Sequence, residues 1–253
     1  MTYFELPKST IVNRFIPKNA FDDFTNSSQK KKFTDTIDKI TWLNKLSKDT
    51  INLDGNDVKE IQIFEIKLKT KEKIQPLLNV IDKAIPYHIV FIVTFGEETY
   101  LSTSKKHNHI NNENTAVIDW NFISESQPNA KKKLSLNLKE SIDFIFTDLC
   151  SQISGFQSKN IKEIIEKDSS KTKFKKQIEE LEVKIKKEKQ FNLKVEMNQK
   201  LKELKKESST VIKKLPLIPT PEIKDEYKLL EAFYLKGLSK DPIVEKPKED
   251  NIP

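Results

Sequence analysis

The chain has 253 residues, a third of them charged and 36% hydrophobic, with 45 basic against 38 acidic side chains and a net charge of +7. A single cysteine, Cys150, excludes a disulfide framework and a cysteine-rich zinc site. The four glycines, at 55, 96, 155 and 237, leave no phosphate-binding loop and no dinucleotide fingerprint.

The N-terminal residues MTYFELPK lack an apolar signal stretch, and with the lone cysteine this predicts a cytoplasmic protein. Next, the stripe Ile11, Val12, Phe15 and Ile16, with Ser9 or Thr10 as cap, predicts a short helix. Within it Arg14 is the only arginine, against 44 lysines. A guanidinium forms a planar fork suited to phosphate or carboxylate, so Arg14 with Lys18 beside it is a candidate anion clamp. Pairing of Arg14 with Asp22 or Asp23 is the structural alternative. Phe33, Ile37, Ile40, Leu43 and Leu46, with Trp42 nearby, predict a helix over 30–46. Residues 50–53 read as a short strand and DGND at 54–57 as a turn.

The stretch VKEIQIFEIKLK (58–69) alternates, with Ile61, Ile63, Glu65 and Lys67 on one face and Phe64, Ile66 and Leu68 on the other. Apolar residues on both faces predict a central strand covered from two sides. A helix over 74–84 carries Leu77, Leu78 and Ile81 on its buried side and stops before Pro86. YHIVFIVTF (87–95) is a strand, and residues 96–98 turn it into a second one over 99–105. Its apolar run is far too short to cross a bilayer. A polar loop KKHNHINNEN (105–114), a strand over 115–123 and a helix over 136–153 complete the region. The fold class is α+β, a mixed sheet packed by helices, over residues 1–155.

Residues 156–214 then form a long charged arm, since 171–207 alone hold 13 lysines and 7 glutamates. Phe174, Ile178, Leu181 and Ile185 recur at the coiled-coil period. Register slips around residue 190 and resumes through Leu193, Met197, Leu201 and Leu204, predicting one long helix or two consecutive ones. A partner chain or a fold-back must cover this seam. Residues 215–253 are a Pro-rich linker, a short docking helix and a tail. The lysine excess, alongside many Asn and Ile, also looks like A/T-rich coding, which weakens net charge as a sign of nucleic acid.

Several constellations carry chemistry. Asp54, then Glu65 and Lys67 two residues apart on a strand, resemble the PD-(D/E)xK nuclease layout. There two carboxylates would hold Mg²⁺ while the lysine orients water. The bland reading is a turn aspartate and a solvated strand end. His107 and His109 lack a third metal ligand, and His88 reads as a structural histidine. Trp120, after Asp119, reads as packed. Lys105 with Lys106, Lys30–Lys32 and Lys131–Lys133 form basic rims able to hold phosphates without sequence preference.

The segments LPKSTIVNRFIPK (6–18), EIQIFEIKLK (60–69), IDKAIPYHIVFIVTF (81–95) and YLSTSKK (100–106) resemble an uncharacterised bacterial domain family. That family is encoded beside DNA methyltransferases and helicases of type III restriction-like anti-phage loci. The resemblance covers roughly the whole chain, and Ile81-Asp82-Lys83-Ala84-Ile85-Pro86 is its most specific piece. Where the family shows a Tyr-Lys pair at the end of the second hairpin strand, Ser104-Lys105 stands here. The family supplies no catalytic residues to carry over. What the resemblance implies is an accessory subunit of a restriction-like defence system without catalysis, cofactor or metal of its own. Its partners would be the methyltransferase or helicase subunits and DNA, in a coiled-coil homo- or hetero-oligomer away from membranes. Arg14, Lys18, Lys105 and Lys106 are the candidate nucleic-acid contacts. The alternative is the Mg²⁺-dependent nuclease built on Asp54, Glu65 and Lys67.

Overall fold

The alternating stretch at 60–68 and the apolar stretch at 88–95 lie side by side in the middle of a mixed seven-stranded sheet. The computed structural model describes residues 3–128 and 134–213, all within the compact unit Met1–Leu217. Its strands are β1 (Ile11–Ile16), β2 (Ile37–Ser47), β3 (Glu60–Leu68), β4 (His88–Phe95), β5 (Glu98–His109), β6 (Asn112–Ile123) and β7 (Gln127–Pro128). The spatial order is β1-β2-β3-β4-β5-β6, and β7 pairs with the start of β5. Only β3 and β4 run parallel, and parallel neighbours need a crossover, which α3 (Gln75–Ala84) supplies.

Both faces of the sheet are covered, so the fold is α+β with a core on each side. On one face Ile61 and Ile63 of β3 and Val90 and Ile92 of β4 pack against Ile145, Phe146, Leu149 and Cys150 of α4 (Ile142–Ser154). On the other, Phe64, Ile66, Phe91 and Val93 meet Leu77, Leu78 and Ile81 of α3, with Phe33 of α1 (Ser27–Thr36). Ser141 caps α4 by accepting from the Phe144 N–H, and Gly155 closes it in the left-handed region at φ 79°.

Four local readings are corrected by tertiary context. The stripe at 11–16 is the edge strand β1, because its apolar residues pair along β2 rather than burying one helical face. The helix expected over 30–46 ends at Thr36, and Ile37–Ser47 is strand. A bulge between Trp42 and Asn44 breaks the alternation there and mimics helical spacing. Residues 50–53 are no strand: α2 (Lys48–Ile51) is a single helical turn ended by Asn52 in the left-handed region. The polar loop at 105–114 is the distal half of the β5–β6 hairpin, its exposed end turning at Ile110 and Asn111. The closing helix also starts at Ile142, later than expected, and Leu134, Leu136 and Leu138 reach the core from outside any helix.

The arm begins inside the core. Ile164 of α5 (Ile161–Lys187) is fully buried, the Trp120 Nε1–H donates to Asp168 at 2.9 Å, and Lys171 donates to the Ser154 carbonyl at 3.0 Å. After a break at 188–190, α6 (Phe191–Lys213) folds back on α5, and Lys205 meets Glu182 at 2.8 Å. Phe174, Ile178, Leu181 and Ile185 are half-buried, as are Met197, Leu201 and Leu204. No described helix is long and apolar enough to cross a membrane. Lys131–Lys133 and residues 215–253 lie outside the described residues.

Candidate functional site

Glu65 and Lys67 share a strand face, as alternation requires, with their charged atoms 3.7 Å apart. Asp54 does not join them. Its carbonyl accepts from the Ile142 N–H at 2.9 Å, which ties it to the N-terminus of α4. A Cβ on Gly55 would sit 2.0 Å from the Val58 carbonyl oxygen, so only glycine permits so tight a turn there. The Asn56, Asp57 and Val58 N–H groups donate to the Asp143 carboxylate at 2.6, 3.0 and 2.9 Å. The turn is thus fastened just before β3, and from Glu60 to Glu65 the strand alone extends about 17 Å. Asp54 pairs instead with Lys48 at 2.8 Å, both well exposed. Among the described residues no group of three or more His, Cys, Asp or Glu side chains is placed to hold a metal ion.

The four candidate nucleic-acid contacts do not form one patch. Arg14 is exposed on β1 opposite Trp42, whose ring packs toward the α3 side. No carboxylate among the described residues pairs with it, since Asp22 pairs with Lys30 at 3.3 Å. Lys18, half-buried, lies two residues past the end of that strand, at the start of a 3-10 turn. Lys105 lies four strands away, about 19 Å, on the α4 side. There it lines a cleft of about 320 Å³ with Asp57, Asp143, Lys159 and Asn160. Two lysines and two aspartates leave that cleft without net formal charge. Below it His88 packs its ring on Phe146, centroids 4.5 Å apart, and its Nε2 has no hydrogen-bond partner among the described residues. Burial, with Lys106 and Lys105 nearby, pushes the His88 pKa down to about 3, so the ring is neutral.

Lys106 is a correction: it belongs to no rim. Alternation along β5 turns it inward beneath α3, where its side chain and that of Asp82 are both fully buried. Its ammonium donates to the Asp82 carboxylate at 2.9 Å and to the carbonyls of Asp82 and Ile85 at 2.7 and 2.8 Å. All three protons are therefore used. Ser104 donates to the other Asp82 oxygen and lies 2.8 Å from Asn121 Oδ1. Gln75 extends the network, donating to Asn79 and Asn121 and accepting from Ser102 at 3.1 Å. Burial pushes the Asp82 carboxyl up and the Lys106 ammonium down, while their pairing opposes both shifts. With Asp82, Ser104 and Lys106 buried at its centre, this network positions α3 on the sheet. Its signal was legible: Asp82 sits four residues after Leu78 on the buried helix stripe, where a carboxylate needs a cation.

Sequence reasoning also missed a set of close lysines. At the joint end of β1, β2 and β3, Lys39 stands directly opposite Lys67. Burial, with Lys69 nearby, pushes the Lys18 pKa down. At the arm's turn, Val183, Phe191, Leu193 and Val195 are 50, 77, 39 and 42% exposed. Residues 183–195 there hold five lysines and one glutamate.

Residues 4–207 match the family described as Domain of unknown function (DUF4391). No curated protein and no solved structure matches the chain.

Proposed function

The chain belongs to the DUF4391 family, and on that premise we propose that it is a non-catalytic accessory subunit of a bacterial restriction-like anti-phage defence system. Residues 1–155 dock, residues 156–214 form the arm that assembles with other subunits or touches DNA, and 215–253 tether a further contact. One observation supports this reading above others: the turn of the arm exposes Val183, Phe191, Leu193 and Val195 amid a local charge of +4. Exposed apolar side chains at the end of a helical pair cost solvation unless a partner covers them. Lysines around them favour an anionic surface. Working in the cytoplasm, the chain assembles through the arm as a homo- or hetero-oligomer with a methyltransferase or helicase subunit.

Co-expression with a methyltransferase and a helicase subunit of a restriction-like locus, followed by purification on one tagged subunit, tests the proposal. A stable complex is expected. Phe191→Ala with Leu193→Ala and Val195→Ala should break it without loss of helical circular dichroism. A chain that purifies alone, or a complex indifferent to the triple substitution, refutes it.

A further inference from the structure

Of the two edges of the sheet, β1 buries the less. It pairs with β2 alone among the described strands, and none of its six residues is buried. Four of them are apolar: Ile11 and Phe15 are 59 and 55% exposed, and Val12 and Ile16 are half-buried. The opposite edge, β6, buries Ala116 and Phe122. Residues directly opposite in a ladder share a face of the sheet, which sorts the β1 side chains. Ile11 stands opposite Asn44, itself opposite Ile63 of the core on the α4 side. Phe15 stands opposite Thr41, itself opposite Glu65, so it shares that face. Arg14 and Ile16, opposite Trp42 and Ile40, are on the α3 side. On the α4 side Ile11 lines a groove of about 780 Å³ with Phe4, Leu6, Pro7, Leu136 and Leu138. The unpaired strand edge and the groove thus meet at Ile11.

An edge strand offers a row of backbone N–H and C=O groups with which an extended chain can pair. Exposed apolar side chains beside such a row cost solvation until they are covered. We propose that β1 is a docking edge for an extended segment of a partner protein, which adds a strand beside β1 and alternates apolar with acidic residues. The alternation follows from the two faces. Side chains of the added strand on the α4 side meet Ile11, Phe15 and the groove, which favour apolar groups. Those on the α3 side meet Arg14, which is exposed and has no carboxylate partner among the described residues, and so take a carboxylate. The same residues disfavour a second copy as the occupant. Laid antiparallel on itself, β1 would bring two Arg14 side chains together. It would also bring together two bulges, each between Ile11 and Arg14, where Asn13 has φ 48°. The proposal rests on the docking role given above to residues 1–155, naming its edge and the pattern of its partner, and does not involve the arm.

Anisotropy of a labelled peptide of alternating valine and glutamate, long enough to span β1 and titrated with the full-length chain, tests the edge. Saturable binding is expected, with the amides of residues 11–16 slowed in hydrogen exchange while the peptide is present. A valine–lysine peptide should bind at least about fivefold more weakly, since it sets like charge against Arg14. Arg14→Glu should invert that order. A proline at the centre of the peptide should abolish binding, because the added strand then lacks a ladder donor. Ile11→Lys with Phe15→Lys should abolish it as well, with far-UV circular dichroism unchanged because both side chains are exposed. The triple arm variant should bind the peptide as wild type does, so that a failed edge and a failed assembly through the arm are told apart. The proposal is overturned if the valine–glutamate peptide does not bind, or if the two charge patterns bind alike in wild type and in Arg14→Glu. It is equally overturned if binding leaves exchange in 11–16 unchanged. Light scattering that shows a dimer broken by Ile11→Lys/Phe15→Lys overturns it in favour of a second copy.

Discussion

Replacing Lys106 by Met keeps most of its volume and removes only the charge and its three hydrogen bonds. Two carbonyls at the end of α3 and the Asp82 carboxylate then lie in a fully buried site with no cation. Breaking one side of a buried pair costs about 3–5 kcal/mol. For a domain of this size that lowers the melting temperature by roughly 6–20 °C. Urea denaturation of wild type, Lys106→Met, Asp82→Asn and the double variant closes a thermodynamic cycle. The double variant should be more stable than Lys106→Met alone by at least ~1 kcal/mol, because no charge is left uncompensated. The exposed pair Lys48–Asp54 is the control, and Lys48→Met should cost below ~1 kcal/mol. Acidity adds a sign. Without Lys106 the burial of Asp82 raises its folded pKa above the unfolded value, so the folded state binds the proton more tightly. The deficit of Lys106→Met should therefore shrink as pH falls toward 5. The reasoning fails if Lys106→Met costs less than ~1 kcal/mol, or if the cycle is additive.

His88, with a folded pKa of about 3, titrates first in the unfolded state, so its contribution is complete above pH 6.5 and lost on acidification. Wild type should lose about 2 kcal/mol more than His88→Leu between pH 7 and 5 in paired urea melts; equal losses would show that His88 is not buried neutral. Asp143 follows the same sign for another reason: burial opposes its charge, but the Asn56, Val58 and Asp57 N–H groups outweigh it and hold its pKa below the ordinary carboxylate value. Stability should therefore fall as pH drops below about 4, less steeply in Asp143→Asn, as followed by tryptophan fluorescence. The Cys150 thiol is buried and its pKa pushed well up, so labelling by a thiol-specific disulfide reagent should track global unfolding; labelling within mixing time would refute its packing. Leu201→Asp should detach α6 from α5 and remove the circular dichroism of most of its 23 residues, while tryptophan fluorescence from the sheet stays unchanged.

The candidate site was less legible than the fold. Lys18 and Arg14 were visible because a lone arginine against a lysine excess is a chemical anomaly on its own. The opposition of Lys39 to Lys67 was not, because cross-strand register, unknown until β2 is recognised as a strand, sets the two against each other. Lys106 was misplaced for a similar reason: Lys105 and Lys106 are chemically equal neighbours, and only the position of α3 makes one surface and the other core.

By itself, the sequence determined those elements whose local pattern admits one solution. Two apolar faces in 60–68 and the apolar run Ile89–Val93 demand central strands, and Pro86 stops α3. The seam through Phe174 and Leu181 and its loss of register near 190 locate α5, the break and α6. Tertiary structure decided everything that depends on a neighbour. The spacing of Ile37 to Leu46 fits a helix or a bulged strand equally well, and only pairing with β3 selects the strand. Asp54 and Glu65, eleven positions apart, would meet across a tight turn; fastening of the turn to α4 leaves Asp54 before β3 and Glu65 well along it. Periodicity reports which side of an element is apolar, whereas burial of a charge depends on what the rest of the chain lays over it.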